Sequence, residues 1–201
     1  MINFENIKVA FADKSDKDLS RAYLLFKTIS NPFISNTLTA FIKVAMWLHL
    51  PISWAIKATV YKHFCGGTTI ENSQATIDKL WESHIGTILD FSAEGKENEE
   101  DFNLAMNETI ASIQKAKSES SIPFSVFKPT GLARFALLEK ISSKLKLTKE
   151  EEIEKNTFEG RIENICRIAS ENKVPLFIDA EESWIQNEID DIAIAMMQKF
   201  N

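Results

Sequence analysis

PFSVFKPTG, residues 123–131, is a short apolar run that ends on a lysine and breaks at once into a Pro-Thr-Gly turn. Two further runs share that shape: TILDF at 87–91 and VPLFIDA at 174–180. Each has the length of a buried strand and each follows a helical stretch. Between them the apolar spacing is helical. Phe102, Met106, Ile110 and Ile113 step by four, four and three, and Ile185, Ile189, Ile192 and Met196 by four, three and four. Thr148 with Glu151 forms a capping-box pattern ahead of a helix carrying Ile153, Phe158, Ile162 and Ile165. The order strand, helix, strand, helices, strand, helix predicts an α/β fold with a parallel sheet and right-handed crossovers.

No GxGxxG or GxxxxGK[ST] loop follows any of these strands, which removes the two phosphate-binding versions of an open sheet. A small open α/β domain and a (βα)8 barrel both begin this way; the barrel is favoured, and the expected architecture is N-terminal helices followed by the first three or so βα units of a (βα)8 barrel, with domains at 1–84 and 85–201. A whole barrel takes about 250 residues, so this chain is expected to hold only the beginning of one. Exposed strand edges and an apolar inner face would favour association.

Residues 1–80 read as helices only. Asp18 or Ser20 opens one through RAYLLFKTI, Pro32 closes it off, and Pro51 hinges the next pair. A Cys-Gly-Gly turn at 65–67 precedes a helix over 70–83. The stretch 38–61 is the most hydrophobic, but Lys43, His49, Pro51 and Lys57 interrupt it, well short of the roughly 20 apolar residues of a membrane span. It reads as a hinged helix pair that packs on the protein or touches a membrane surface. The N-terminus has no secretory signal pattern. Trp47, Trp54, Trp81 and Trp184 are expected as packing anchors.

The net charge of −6 and pI near 5.2 exclude a dedicated nucleic-acid binder. Cys65 and Cys166 give neither a disulfide framework nor a zinc set, and His49, His63 and His84 read as structural. No metal site and no Ser-His-Asp pattern is expected. In α/β barrels the active site lies at the C-terminal strand ends. Asp90 falls inside the first run and Glu94 just past it, Lys128 closes the second, and Asp179, followed by Glu181 and Glu182, closes the third. A lysine closing an apolar strand needs a partner or a shifted pKa. Lys128 could bind a carboxylate, form a Schiff base as in barrel aldolases, or pair with Asp179 or Glu94. Glu181 and Glu182 suit the first turn of the following helix.

FCGG at 64–67, ILDFSAEGKENEEDF at 88–102, IPFSVFKPTGLARFALLEK at 122–140 and VPLFIDAEESWIQ at 174–186 together resemble the proline dehydrogenase family, and most the short monofunctional bacterial type. The resemblance implies an oxidoreductase of proline catabolism that passes hydride from L-proline to FAD, giving 1-pyrroline-5-carboxylate, with electrons going to a membrane quinone. It implies that Lys128 helps hold the proline carboxylate, that Asp179 orients substrate-binding arginines, and that Glu94 pairs with one of those arginines and gates the pocket. It implies no catalytic nucleophile, since the cofactor carries the chemistry. The family's arginine pair, pocket tyrosine and flavin-contacting residues have no counterpart here and are expected beyond Asn201. The chain is thus expected to be an N-terminal fragment, inactive alone, of a cytoplasmic protein peripheral to the inner membrane face. The other readings are a Schiff-base aldolase barrel using Lys128 and a non-catalytic α/β interaction protein.

Overall fold

The computed structural model describes residues 5–91 and 95–201. The chain divides into two compact units, 1–76 and 77–201.

The first unit is helical. Asn6 caps a single turn, α1 (Ile7–Ala10). Helix α2 (Asp16–Ile29) starts earlier than Asp18 or Ser20 would have it, because the Ser15 hydroxyl accepts from the Asp18 N–H at 3.2 Å and donates to the Asp18 carboxylate at 2.7 Å. Asn31 takes the N–H groups of Phe33 and Ile34 (3.1 and 3.2 Å), and Pro32 opens α3 (Pro32–Trp47). His49 stands in the left-handed region at φ 55° and lets the Leu50 N–H return to the Ala45 carbonyl. After Pro51, α4 (Ser53–Ile56) runs through a π-helical Lys57–Tyr61 into α5 (Lys62–Phe64). The turn beyond is tied by Tyr61 Oη donating to the Gly67 carbonyl and Thr76 Oγ1 to the Gly66 carbonyl. A Cβ on Gly67 would lie 2.6 Å from the Ser73 nitrogen, so no other residue fits there.

Helix α6 (Ile70–Glu82) carries the unit boundary and stops at His84, again left-handed at φ 59°. In the second unit, β1 (Ile88–Leu89), β2 (Phe124–Phe127) and β3 (Leu176–Ile178) form a parallel sheet in the order β1-β2-β3. The apolar runs are longer than the ladders because pairing ends where the polar strand-end residues begin. Helix α7 (Glu99–Ser118), capped by Asn98, links β1 to β2. Helices α8 (Phe135–Ser142) and α9 (Lys149–Asn172) link β2 to β3, and α10 (Gln186–Phe200) follows. The Thr148–Glu151 capping box is formed in both directions.

The core of this unit is built of closely packed apolar side chains. Ile113, Leu138, Phe158, Ile162, Ile165 and Ile185 have no exposed surface. Leu89, Phe127, Leu176 and Ile178 pack against that core from the sheet, whereas Ile88 and Phe177, on the opposite face by alternation, are exposed. Phe124 and Phe177 stack on that second face, centroids 4.7 Å apart.

One expectation fails. The tryptophans are not core anchors: Trp47 is 76% and Trp54 72% exposed, Trp81 and Trp184 about half. Trp47, Trp54 and Trp81 sit on the exposed sides of their helices, and Trp184 lies in the turn ahead of α10, edge-on to Phe135. Ile153 lies on α9 as its spacing implies, but is exposed, ahead of the buried stripe that starts at Phe158.

Candidate functional site

The register fixes which strand-end side chains can meet. Phe127 pairs with Ile178, so Lys128 and Asp179 stand side by side one step beyond the ladder. Leu89 pairs with Ser125, which puts Asp90 level with Val126 and on the same face as Lys128. That face is the one carrying Ile88, Phe124 and Phe177, opposite the helical core. Lys128 Nζ reaches Asp179 Oδ2 at 2.5 Å and Asp90 Oδ2 at 3.4 Å. The Asp179 N–H still donates to the Phe127 carbonyl at 3.1 Å, so the acid is held by the sheet itself.

The Asp179 hydrogen bond holds the Lys128 ammonium above the usual lysine pKa, with the Asp90 charge adding to it and partial burial opposing. The group is therefore a fixed cation. All three side chains keep some solvent contact, so the ion pairs contribute only about 1 kcal/mol to stability. Their role is placement of charge.

The turn after Lys128 is anchored from three directions. Glu181 accepts from the Thr130 N–H (2.9 Å) and hydroxyl (2.5 Å). Arg161, 4% exposed on α9, donates to the Leu132 carbonyl at 3.1 Å and also holds Asn103 and Glu99. Arg134 meets Glu154 through two bonds of 2.7 and 2.6 Å. A small pocket between Lys128, Asp90, Val126 and Thr109 has a volume of about 10 Å3, room for about one water.

Of the expected site residues, Lys128 and Asp179 are brought together. Glu94 lies outside the described residues. Asp90, read only as part of a strand run, turns out to be Lys128's second partner. Finding it needed the register of β1 against β2, which strand periodicity alone does not give. Glu181 is not in a helix turn: α10 begins at Gln186, and burial pushes the Glu181 carboxyl up against the opposing pull of the Thr130 bonds. Its engagement with Thr130 leaves no signature in sequence beyond the equal spacing of 128–179 and 130–181. Cys166 is buried in α9, and burial raises its thiol to about 11, too high for a nucleophile at neutral pH. Among the described residues no group of three or more His, Cys, Asp or Glu is arranged to hold a metal ion.

Nor do these residues enclose a flavin. Ligand pockets run to roughly 300 Å3 and more, and the strand-end pocket is far smaller. What the sheet supplies is one wall with a fixed ammonium between two carboxylates.

Known proteins are similar to this sequence. A family model for proline dehydrogenase matches residues 73–201, from α6 through all three strands to the end of α10. The carbapenem antibiotics biosynthesis protein CarD of Pectobacterium carotovorum subsp. carotovorum is 31% identical over 138 residues, covering 69% of this chain and 37% of that protein. Proline dehydrogenase 1, mitochondrial, of Dictyostelium discoideum is 26% identical over 95% of this chain and 40% of its own length. The Arabidopsis thaliana protein of the same name is 28% identical over 73% of this chain and 37% of its own length. The matched region thus spans about two fifths of the length of these relatives. Because the family match holds every strand, every strand-end residue of the cluster and the helices that anchor them, this chain belongs to the proline dehydrogenase family.

Proposed function

We propose that this chain contributes the N-terminal helical region (1–84) and the first βα units (85–201) of a (βα)8-barrel proline dehydrogenase. The enzyme would oxidise L-proline to 1-pyrroline-5-carboxylate with FAD as cofactor and a membrane quinone as electron acceptor. The observation that carries this reading is the Lys128 ammonium fixed between Asp90 and Asp179 on the sheet face away from the helices. Within a closed barrel that face is the interior, and these residues stand at its catalytic end. A substrate carboxylate suits a lysine that never deprotonates near neutral pH. The same property disfavours a Schiff-base aldolase, whose lysine must supply a free amine.

The cluster's charge also limits what it does alone. One ammonium and two carboxylates sum to −1, so a proline carboxylate needs further cations to be held. Asp179, and Glu94 by family resemblance, have the chemistry to orient such cations, which the reading places on arginines beyond Asn201. Bound FAD would accept the hydride. Lys128 would bind and orient the substrate carboxylate, and Asp90 and Asp179 would keep that lysine charged and in place. The test is the full protein encoded by the gene. Flavin absorption that bleaches on adding L-proline supports the reading, and a colourless protein, or one whose flavin is indifferent to proline, overturns it. The 201-residue chain itself is expected to bind FAD poorly and to turn over no proline.

Peripheral contact with the inner membrane, from the cytoplasmic side, is assigned to the first unit. Residues 19–70 contain no Asp or Glu but hold Arg21, Lys27, Lys43, Lys57 and Lys62, giving +5 in a chain of net −6. The same stretch exposes Phe33, Phe41, Trp47 and Trp54. Among the described residues no helix is long and apolar enough to cross a membrane. Cations with exposed aromatics suit a headgroup layer, at about 1 kcal/mol per Lys or Arg near an anionic surface. Co-sedimentation with phosphatidylglycerol vesicles that weakens in 0.5 M salt, against little binding to phosphatidylcholine, is expected. No binding to either kind of vesicle overturns the assignment.

A further inference from the structure

Two couples bridge β2 and β3 beyond the ladder, and they repeat at the same spacing. Lys128 meets Asp179, and two residues further along both segments Thr130 meets Glu181. Both oxygens of Glu181 are used on Thr130, one on the backbone N–H and one on the hydroxyl. Thr130 is buried in the single turn Pro129–Gly131 that directly follows Lys128. On the other side the Glu181 N–H donates to Gln186 Oε1 at 2.9 Å, and Gln186 Nε2 donates to Asp190 at 2.7 Å. The chain Thr130–Glu181–Gln186–Asp190 therefore ties the turn after the lysine to the first turns of α10.

We propose that Glu181 and Thr130 are positioning residues: their paired hydrogen bonds fix the turn so that the Lys128 ammonium stays between Asp90 and Asp179. The inference rests on the reading of Lys128 as the substrate-carboxylate group. The geometry favours it over two other uses of Glu181. A metal ion or substrate cation would have to compete with the two Thr130 hydrogen bonds that already orient both Glu181 oxygens toward the turn. Its half-buried setting also raises its cost as an unpaired anion, which ties the carboxylate more firmly to Thr130. A lysine on four rotatable bonds gains most from such a brace, since its ammonium is held by its partners and by where the backbone launches it.

Lys128 reports its own setting, because only the free amine is acylated. On the full chain, acetic anhydride labelling of Lys128 at pH 9, read by peptide mass spectrometry, measures how firmly the ammonium is kept. Thr130→Val removes the hydroxyl donor without changing any charge, and Glu181→Ala removes both acceptors. Each is expected to raise Lys128 labelling about threefold, as half a pH unit would. Glu181→Gln loses the charge but keeps an amide that can bond to both Thr130 groups, and is expected to stay near wild type. A purely electrostatic role for Glu181 predicts a different order, with Gln equal to Ala and Thr130→Val without effect. That order overturns the proposal. Were Thr130→Val to unfold by circular dichroism, the contrast between Glu181→Ala and Glu181→Gln decides it alone. Protection of Lys128 from labelling by L-proline in the complete enzyme tests the substrate reading separately. Loss of that protection with the variant order intact removes the substrate role and leaves the positioning.

Discussion

The two units form helices equally well and bury them very unequally. In 1–76, α2 and α3 have full caps at Ser15 and Asn31, yet Ala45 and Ser73 are the described residues there that are buried. In 77–201, α7 and α9 are capped by the same chemistry at Asn98 and Thr148, and each carries a stripe of fully buried side chains. Capping and spacing decide where a helix runs, while stability comes from the face it hides. A helix such as α3, apolar on nearly every side and acid-free, is shaped for a surface outside its own unit's core. A helix such as α9 is shaped for its own.

The largest effect should therefore divide along the unit boundary. Phe158→Ala opens a cavity in a core with no exposed surface and is expected to cost about 3–5 kcal/mol in urea unfolding. Trp47→Ala removes a larger side chain that is 76% exposed and should change stability by no more than about 0.5 kcal/mol. A Trp47 cost comparable to that of Phe158 would mean the first unit hides its aromatics after all, and the contrast would fail.

A smaller effect sharpens the same comparison with matched chemistry. Thr148→Ala strips one cap from α9 and should cost about 1 kcal/mol of global stability, because α9 unfolds with its core. Ser15→Ala strips the equivalent bond from α2, and the expected outcome is faster amide exchange in 16–22 with the denaturant midpoint of the second unit unchanged. Equal shifts in that midpoint would show the two units unfolding as one.

The fold was legible where periodicity and turn chemistry agree. The three apolar runs, the helices between them, the Cys-Gly-Gly turn and the Thr148 capping box all stand where the residues put them. Hydrophobicity alone misplaced the tryptophans, since it cannot tell a side chain that fills a core from one that faces outward. Of the site, Lys128 and Asp179 were legible as polar residues closing apolar strands. Asp90 needed the register of β1 against β2, which a sequence leaves open. Arg161 was not legible at all: it sits mid-helix among glutamates, and only the tertiary approach of α9 to the Leu132 carbonyl makes it a buried anchor. Ser142 is similar, capping α10 from α8 by accepting from the Glu188 N–H at 3.1 Å.

The smallest effect concerns that same helix start and has a definite sign. Glu188 is 7% exposed in the first turn of α10, where burial pushes its carboxyl up, Glu159 and Asp191 push the same way, and Lys155 opposes them. A carboxyl raised on folding stabilises the protein most below its unfolded pKa, about 4.3, and that contribution is lost as pH rises through the folded value. Ionising Glu188 in the folded chain therefore carries a desolvation cost that Glu188→Gln lacks. The variant is expected to be slightly more stable at pH 7, with the gap closing as pH falls toward the ordinary glutamate range. Urea midpoints at pH 7, 6, 5 and 4.5 would show it. A gap that widened on acidification would mean the folded state favours the carboxylate, and Lys155 rather than burial would then govern this end of α10.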